Sequence, residues 1–95
     1  MEHMPLSCRN RSFGGGRVTL EPGEEAGEHV TDGREELIVV LKGRATLIKG
    51  NERIELSEGE IHFIEEGTRH NVKNLSKEPL EYVYLVRALE KHHSL

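Results

Sequence analysis

Three residues of the chain are of the types that bind metal ions: His29, Glu36 and His70. His29 and Thr31 are two residues apart, so in an extended segment both side chains point to the same face. Glu36 begins an apolar run, and a carboxylate on its core-facing side is costly unless it is paired or metal-bound. Two imidazoles and one carboxylate from separate strands can form a site with open positions for one divalent transition metal, such as Fe, Zn, Mn, Ni or Co.

The elements that must position these residues are predicted to be short strands. Turn-forming glycines recur every seven to nine residues between positions 43 and 67, which favours an all-β sandwich or barrel. We predict a small antiparallel β-barrel over residues 13–88, with an N-terminal arm at 1–12 and a C-terminal tail at 89–95. The predicted strands are Arg17–Leu20, Glu36–Leu41, Arg44–Lys49, Arg53–Leu56, Ile61–Ile64, His70–Asn74 and Glu81–Arg87, with 7–12 as a candidate edge strand.

The strand Glu36–Leu41 is apolar on both faces from Leu37 onward. A strand in a small antiparallel barrel needs only one buried face. The second sheet, the N-terminal arm or another subunit could cover the other face. Of these, another subunit is favoured, and we expect a homodimer.

The composition argues against several classes of function. The formal net charge is −4 and no basic stripe runs along the chain, so nucleic acid is not an expected partner. The longest apolar run, Leu37–Leu41, is too short to cross a membrane, and residues 1–10 lack the apolar stretch of a signal peptide. Cys8 is the only cysteine, which suits a reducing compartment, and we expect a cytoplasmic protein.

The glycine triplet Gly14–Gly16 invites comparison with a phosphate-binding loop. It lacks the Lys-Ser/Thr pair and the helix that should follow such a loop. A flexible link into the first strand is the better interpretation. Histidines near the two ends of the chain are expected to be peripheral: His3, His92 and His93.

Two segments of the chain resemble the paired motifs of the cupin superfamily. Residues 23–43 resemble the first motif, G-x5-H-x-H-x(3,4)-E-x6-G, and residues 59–74 resemble the second, G-x5-P-x-G-x2-H-x3-N. The residues that fall on the motifs are Gly23, His29, Glu36, Gly43, Gly59, Gly67, His70 and Asn74. Both motifs occur in order with a short hairpin between them. The chain is therefore identified as a member of the small single-domain cupins, which implies a jelly-roll barrel.

The resemblance implies a metal site, because the family binds its metal through two His and one Glu of the first motif and the His of the second. His29, Glu36 and His70 are the ligands that it implies here. The second His of the first motif is Thr31, a poor substitute for an imidazole. We expect Thr31 to line the site, where it would hold a metal-bound water or leave a position open for substrate. The Pro of the second motif is Glu65, which affects the rigidity of the turn.

Pocket walls follow from the same resemblance and from strand alternation. The family pattern turns Ile61 and Phe63 towards the barrel interior and His62 outward, so Phe63 is a predicted pocket residue. Tyr82 and Tyr84 share one face of the last strand. Their hydroxyls could contact a ligand, or the rings could simply pack.

These features leave different functions open. The function that we expect first is a metal-dependent enzyme acting on a small polar organic molecule, with no reaction assigned because the fold hosts many chemistries. Another is a non-catalytic module that binds a small molecule or sugar, with or without metal. The missing fourth ligand and the lack of a clear proton-transfer group favour the binding module. A structural dimer with a vestigial site is a third possibility.

Overall fold

The computed structural model describes residues 1–7 and 12–89, and this part of the chain contains nine β-strands and no helix. No helix that could span a membrane is therefore found among the described residues. Each predicted strand from Arg17 onward overlaps an observed strand, and β1 and β3 are additional. The strands are β1 (Glu2–Pro5), β2 (Phe13–Leu20), β3 (His29–Val30), β4 (Arg34–Lys42), β5 (Ala45–Lys49), β6 (Glu52–Leu56), β7 (Ile61–Ile64), β8 (Arg69–Lys73) and β9 (Leu80–Ala88).

The strands form two antiparallel sheets with a common core, which is a jelly-roll arrangement. One sheet has the order β1-β2-β9-β4-β7 and the other has the order β3-β8-β5-β6. Apolar side chains from both sheets fill the core: Val18, Leu20, Ile38, Val40, Leu47, Ile64, Val72 and Leu80. The prediction of a small antiparallel all-β barrel is confirmed.

Strand β4 presents a core face and an outer face. Ile38 and Val40 are each 1% exposed, whereas Leu37 and Leu41 remain 38% and 45% exposed. Because successive side chains of a strand alternate between the faces, Glu36 shares the inner face with Ile38 and Val40. Because of this alternation, the carboxylate of Glu36 points into the barrel.

The predicted orientation of β7 is wrong. In the antiparallel ladder Leu37 pairs with Phe63 and Ile38 pairs with His62, and directly opposed residues lie on the same face of a sheet. Phe63 therefore lies on the outer face with Leu37, where it is 44% exposed. Ile61 is also exposed, and the core position is filled by Ile64 instead.

The glycine triplet is part of β2 and not a flexible link. Gly14, Gly15 and Gly16 pair with Val86, Leu85 and Tyr84 of β9 in continuous register. A Cβ at Gly15 would collide with the carbonyl oxygen of Tyr84. Gly15 therefore allows the backbones of β2 and β9 to approach closely.

An edge strand, β1 at Glu2–Pro5, precedes β2, and the predicted edge strand at 7–12 lies mostly outside the described residues. Ser7 and Ser12 are not in strands, and residues 8–11 between them, including Cys8, lie outside the described residues. His92 and His93 also lie outside the described residues. The placement of β1 brings His3 onto the five-stranded sheet, beside Val18.

Candidate metal centre

Pairing between β3 and β8 brings the two predicted histidine ligands together. His29 and His70 are opposed in the antiparallel register, and their ring centroids are 4.2 Å apart with an interplanar angle of 62°. Glu36 reaches the same place from β4 on the other sheet. The potential ligand atoms of the three residues all lie within 4.8 Å of one another. The fold thus gathers three donor groups that are distant in the sequence.

One carboxylate oxygen faces both imidazoles. Glu36 Oε1 lies 3.5 Å from His70 Nε2 and 3.7 Å from His29 Nε2. Glu36 and His70 are buried, at 6% and 1% exposure. The side chain of His29 is 54% exposed, so the cluster opens to the outside on that side.

Backbone carbonyls fix the orientation of both imidazoles. His70 Nδ1 lies 3.1 Å from the carbonyl oxygen of Thr68, and His29 Nδ1 lies 3.3 Å from that of Gly27. A carbonyl oxygen only accepts, so in the neutral rings Nδ1 carries the hydrogen and Nε2 keeps a free lone pair. This tautomer is the one that metal-binding histidines adopt when the second nitrogen donates to a backbone carbonyl.

His70 Nε2 is a buried polar atom without a hydrogen-bond partner. Buried polar groups are nearly always paired, so an unpaired one points to a missing ion or water, or to a functional role. The nitrogen lies 3.5 Å from Glu36 Oε1. The donor set and the unpaired nitrogen therefore fit a divalent transition metal.

A proton on His70 Nε2 would occupy the same position as a metal ion. Burial by itself lowers the pKa of His70, but the interaction with the Glu36 carboxylate and the hydrogen bond to the Thr68 carbonyl outweigh it, so the pKa is raised. A proton on Nε2 would neutralise the carboxylate as a cation would. The cluster is thus built to hold a positive charge.

The side chain of Thr31 holds the turn that precedes His70. Its hydroxyl donates to the carbonyl oxygen of Glu65 at 2.6 Å and accepts from the Thr68 N–H at 3.1 Å. Its own carbonyl accepts from the Gly67 N–H at 2.8 Å. These bonds fasten the turn that precedes His70. Thr31 thus holds this turn and is not among the described residues that line the cavity beside the cluster, and its predicted contact with a metal-bound water stays a prediction.

A cavity of about 200 Å³ opens beside the cluster. His29 and Glu36 form one part of its wall, and Tyr82 and Tyr84, both predicted pocket residues, form another. Its other lining residues are Met1, His3, Val18, Ala26 and Val72. Phe63 does not belong to it and instead lines a cleft on the outer face with Phe13 and Leu37.

The two tyrosine hydroxyls stay protonated at neutral pH. Burial raises the pKa of Tyr82 and the negative charge of Glu36 raises it further, and the same causes raise the pKa of Tyr84. Both groups can therefore donate a hydrogen bond into the cavity. Tyr84 has a partner of its own, because its hydroxyl oxygen lies 2.7 Å from His3 Nε2.

His3 is the cavity residue that sequence reasoning missed. Segment Glu2–Pro5 is exposed along its whole length and carries no alternation of apolar and polar residues. Periodicity therefore gives no signal for β1. Only its pairing with β2 places His3 at the cavity.

Comparison with known proteins supports the interpretation of the fold. A family model described as "Cupin domain" matches residues 16–86. A Cupin 2 conserved barrel domain protein from Salinispora arenicola superimposes with a TM-score of 0.77 at 25% identity, covering 95% of this chain and 74% of that one.

Two curated proteins match parts of the chain. The mannose-1-phosphate guanylyltransferase of Salmonella muenchen is 36% identical over 67 residues, which cover 70% of this chain but 14% of the enzyme. The oxalate-binding protein of Thermotoga maritima is 24% identical over 70 residues, which cover 74% of this chain and 58% of that protein. The chain thus matches only a minor part of the guanylyltransferase and somewhat more than half of the oxalate-binding protein.

Proposed function

The chain belongs to the cupin domain family, and we propose that it binds one divalent transition metal through His29, Glu36 and His70 and uses it to hold a small carboxylate. The observation that carries this proposal is the Nε2 atom of His70, which is buried without a hydrogen-bond partner and lies 3.5 Å from Glu36 Oε1. An ion between these atoms would pair the nitrogen and neutralise the carboxylate. One carboxylate and two imidazoles suit Fe, Zn, Mn, Ni or Co.

The class of ligand follows from charge. A divalent ion held by two neutral imidazoles and one carboxylate keeps a net charge of about +1. Its open positions therefore favour an anion, which the metal would polarise as a Lewis acid. The similarity to an oxalate-binding protein supports a small carboxylate in particular.

The size of the cavity favours a small carboxylate over a sugar phosphate. Its volume is about 200 Å³, which lies below the range of about 300–1,000 Å³ that is typical of pockets for larger ligands. The guanylyltransferase similarity is thus better explained by a shared barrel than by a shared sugar ligand. We infer a binding function first, and turnover of the bound acid would extend it to a metal-dependent enzyme.

We also propose that two copies of the chain associate through the outer face of the larger sheet. Phe13, Leu37, Leu41, Ile61 and Phe63 are all exposed apolar residues on β2, β4 and β7. A second copy that covered this face would remove these side chains from water. The single cysteine of the chain supports a cytoplasmic location for this assembly.

The proposal is tested by calorimetric titration of oxalate into the untagged chain. With Co²⁺ or Mn²⁺ bound, we expect one oxalate per chain, and after removal of metal by a chelator we expect no heat of binding. Mannose 1-phosphate serves as the competing probe. Binding of oxalate without metal, or preference for mannose 1-phosphate, would contradict the proposal.

A further inference from the structure

We infer that His3 and Tyr84 form a second polar subsite in the cavity, which holds the end of the carboxylate ligand that is remote from the metal. The inference rests on the function proposed above, because it assumes that one end of the ligand is bound at the cluster. It assigns a positioning role to β1 and to Gly16 of β2. Neither feature has a role in the metal centre itself.

The subsite is built across three strands on their inner face. His3 of β1 is opposed to Val18 of β2, and Val18 is opposed to Tyr82 of β9. Tyr84 lies two residues further along β9 and is opposed to Gly16. His3 and Tyr84 are therefore diagonal neighbours across β2, and their side chains meet over Gly16.

The lack of a side chain at Gly16 allows His3 and Tyr84 to come into contact. A Cβ at position 16 would lie 2.7 Å from His3 Nε2 and 2.9 Å from the carbonyl oxygen of Met4. Carbon atoms do not approach polar atoms this closely without displacement. The imidazole therefore occupies the space that a side chain at position 16 would fill, and any larger residue would push His3 away from Tyr84.

The pair and the metal cluster lie on the same cavity. His3, Tyr84, His29 and Glu36 all line it, and its remaining described wall is mostly apolar. When His3 Nε2 carries its hydrogen and donates to Tyr84, the tyrosine hydroxyl hydrogen is free to bond to a ligand oxygen. A ligand with two oxygen-bearing ends, such as a dicarboxylate, would then meet the metal at one end and a donor at the other.

The test separates metal binding from carboxylate binding. Tyr84→Phe removes only the hydroxyl, and His3→Phe keeps a ring over Gly16 without its nitrogens. We expect both variants to bind Co²⁺ as wild type does and to lose roughly 10-fold or more in oxalate affinity, because Tyr84→Phe removes the hydrogen bond to the charged ligand and His3→Phe removes the group that orients that hydroxyl. The double variant should lose no more than the stronger single variant, because the two side chains act as a pair.

Two alanine substitutions in β2 form a matched pair, in which Gly16→Ala is the test and Gly14→Ala is the control. Gly16→Ala should displace His3 and weaken oxalate binding as His3→Phe does, with Co²⁺ affinity unchanged. Gly14→Ala should have no effect on either affinity, since a Cβ there meets no atom within 4 Å. Thermal melting of each variant verifies that the barrel is intact.

Each result has a distinct meaning. Unchanged oxalate affinity in Tyr84→Phe, with metal bound, would overturn the subsite and leave the metal site standing. Metal-loaded wild type that does not bind oxalate would overturn the assignment of a carboxylate at both ends. A wild-type chain that takes up no Co²⁺ or Mn²⁺ would overturn the proposed function, and the subsite inference would fall with it.

Discussion

His29 and His70 face each other across two antiparallel strands, and each presents Nε2 to the same oxygen of Glu36. The arrangement is asymmetric, because His70 is fully enclosed whereas His29 is half exposed. His70 is therefore the ligand whose position is fixed by the core, and His29 is the ligand next to the entrance. An exchanging metal or ligand would enter past His29.

Glu36→Gln should abolish the response of the protein to metal without unfolding it. The amide keeps the shape of the side chain but carries no charge, so it removes both a ligand and a buried carboxylate that is costly to desolvate. For wild type, free metal at 100 times its dissociation constant should raise the unfolding free energy by about 2.7 kcal/mol. Thermal melts with and without Co²⁺ should show this rise in wild type and none in Glu36→Gln.

The neighbouring residue Glu35 provides the control for this measurement. It lies on the same strand, and its carboxylate pairs with Arg87 at 2.7 Å on the outer face. Glu35→Gln should keep the full metal response. A normal response in Glu36→Gln would show that the carboxylate is not a ligand.

Thr31→Val should destabilise the fold by about 1–3 kcal/mol, because it leaves the Glu65 carbonyl and the Thr68 N–H without their hydroxyl partner. Thr31→Ser keeps the hydroxyl and should lose much less. Urea unfolding of the two variants measures the difference. Equal stabilities would indicate that the hydroxyl does not hold the turn.

Thr31→His would restore the histidine that the family motif has at this position. Because the hydroxyl of Thr31 is engaged by the turn at Glu65 and Thr68, we expect the larger ring to disturb that turn. The variant should melt at a lower temperature and bind Co²⁺ no more tightly than wild type. Tighter binding with an unchanged melting temperature would mean that position 31 can supply a ligand after all.

His62 should make the protein less stable as the pH falls. Burial lowers the pKa of His62, and the nearby ammonium of Lys49, whose Nζ lies 3.4 Å from His62 Nε2, lowers it further. Between its folded pKa and the unfolded value of 6.5, the unfolded chain binds more protons than the folded chain at this residue. The contribution of neutral His62 to the unfolding free energy is thus fully present above pH 6.5, and it is lost as the pH falls towards the folded pKa.

Comparison with His62→Gln isolates this effect from that of His70. The raised pKa of His70 acts in the opposite sense, since it contributes stability at low pH that is lost as the pH rises. The unfolding free energy of wild type relative to His62→Gln, measured in urea from pH 8 to pH 5, should therefore fall with the pH. A constant difference would refute the assignment.

Phe63→Glu should convert the proposed dimer to a monomer with little change in melting temperature. Phe63 is exposed beside Leu37 on the outer face, so a charge there opposes association but leaves the core untouched. Leu75→Glu, at an exposed position outside the strands, is the control and should remain dimeric. Sedimentation at micromolar concentration measures the mass, and a monomeric wild type would contradict the dimer.

The sequence predicted the features that depend on the spacing of residues along the chain. It did not predict the features that depend on which strands become neighbours. The spaced motifs located His29, Glu36 and His70, and strand alternation turned Glu36 inward. In β7, three of four residues are apolar, so alternation could not choose between Phe63 and His62, and pairing with β4 decided. No local pattern could place His3, because its partners come from β2 and β9.

The central claim is that the buried nitrogen of His70 binds a metal ion, and the metal content of the untagged protein tests it most directly. We predict one Fe, Zn, Mn, Ni or Co ion per chain by mass spectrometric elemental analysis, in wild type and in the control variant His62→Gln. His70→Ala, still folded by circular dichroism, should contain none. Folded wild type that takes up none of these metals, or His70→Ala that keeps one per chain, would contradict the account.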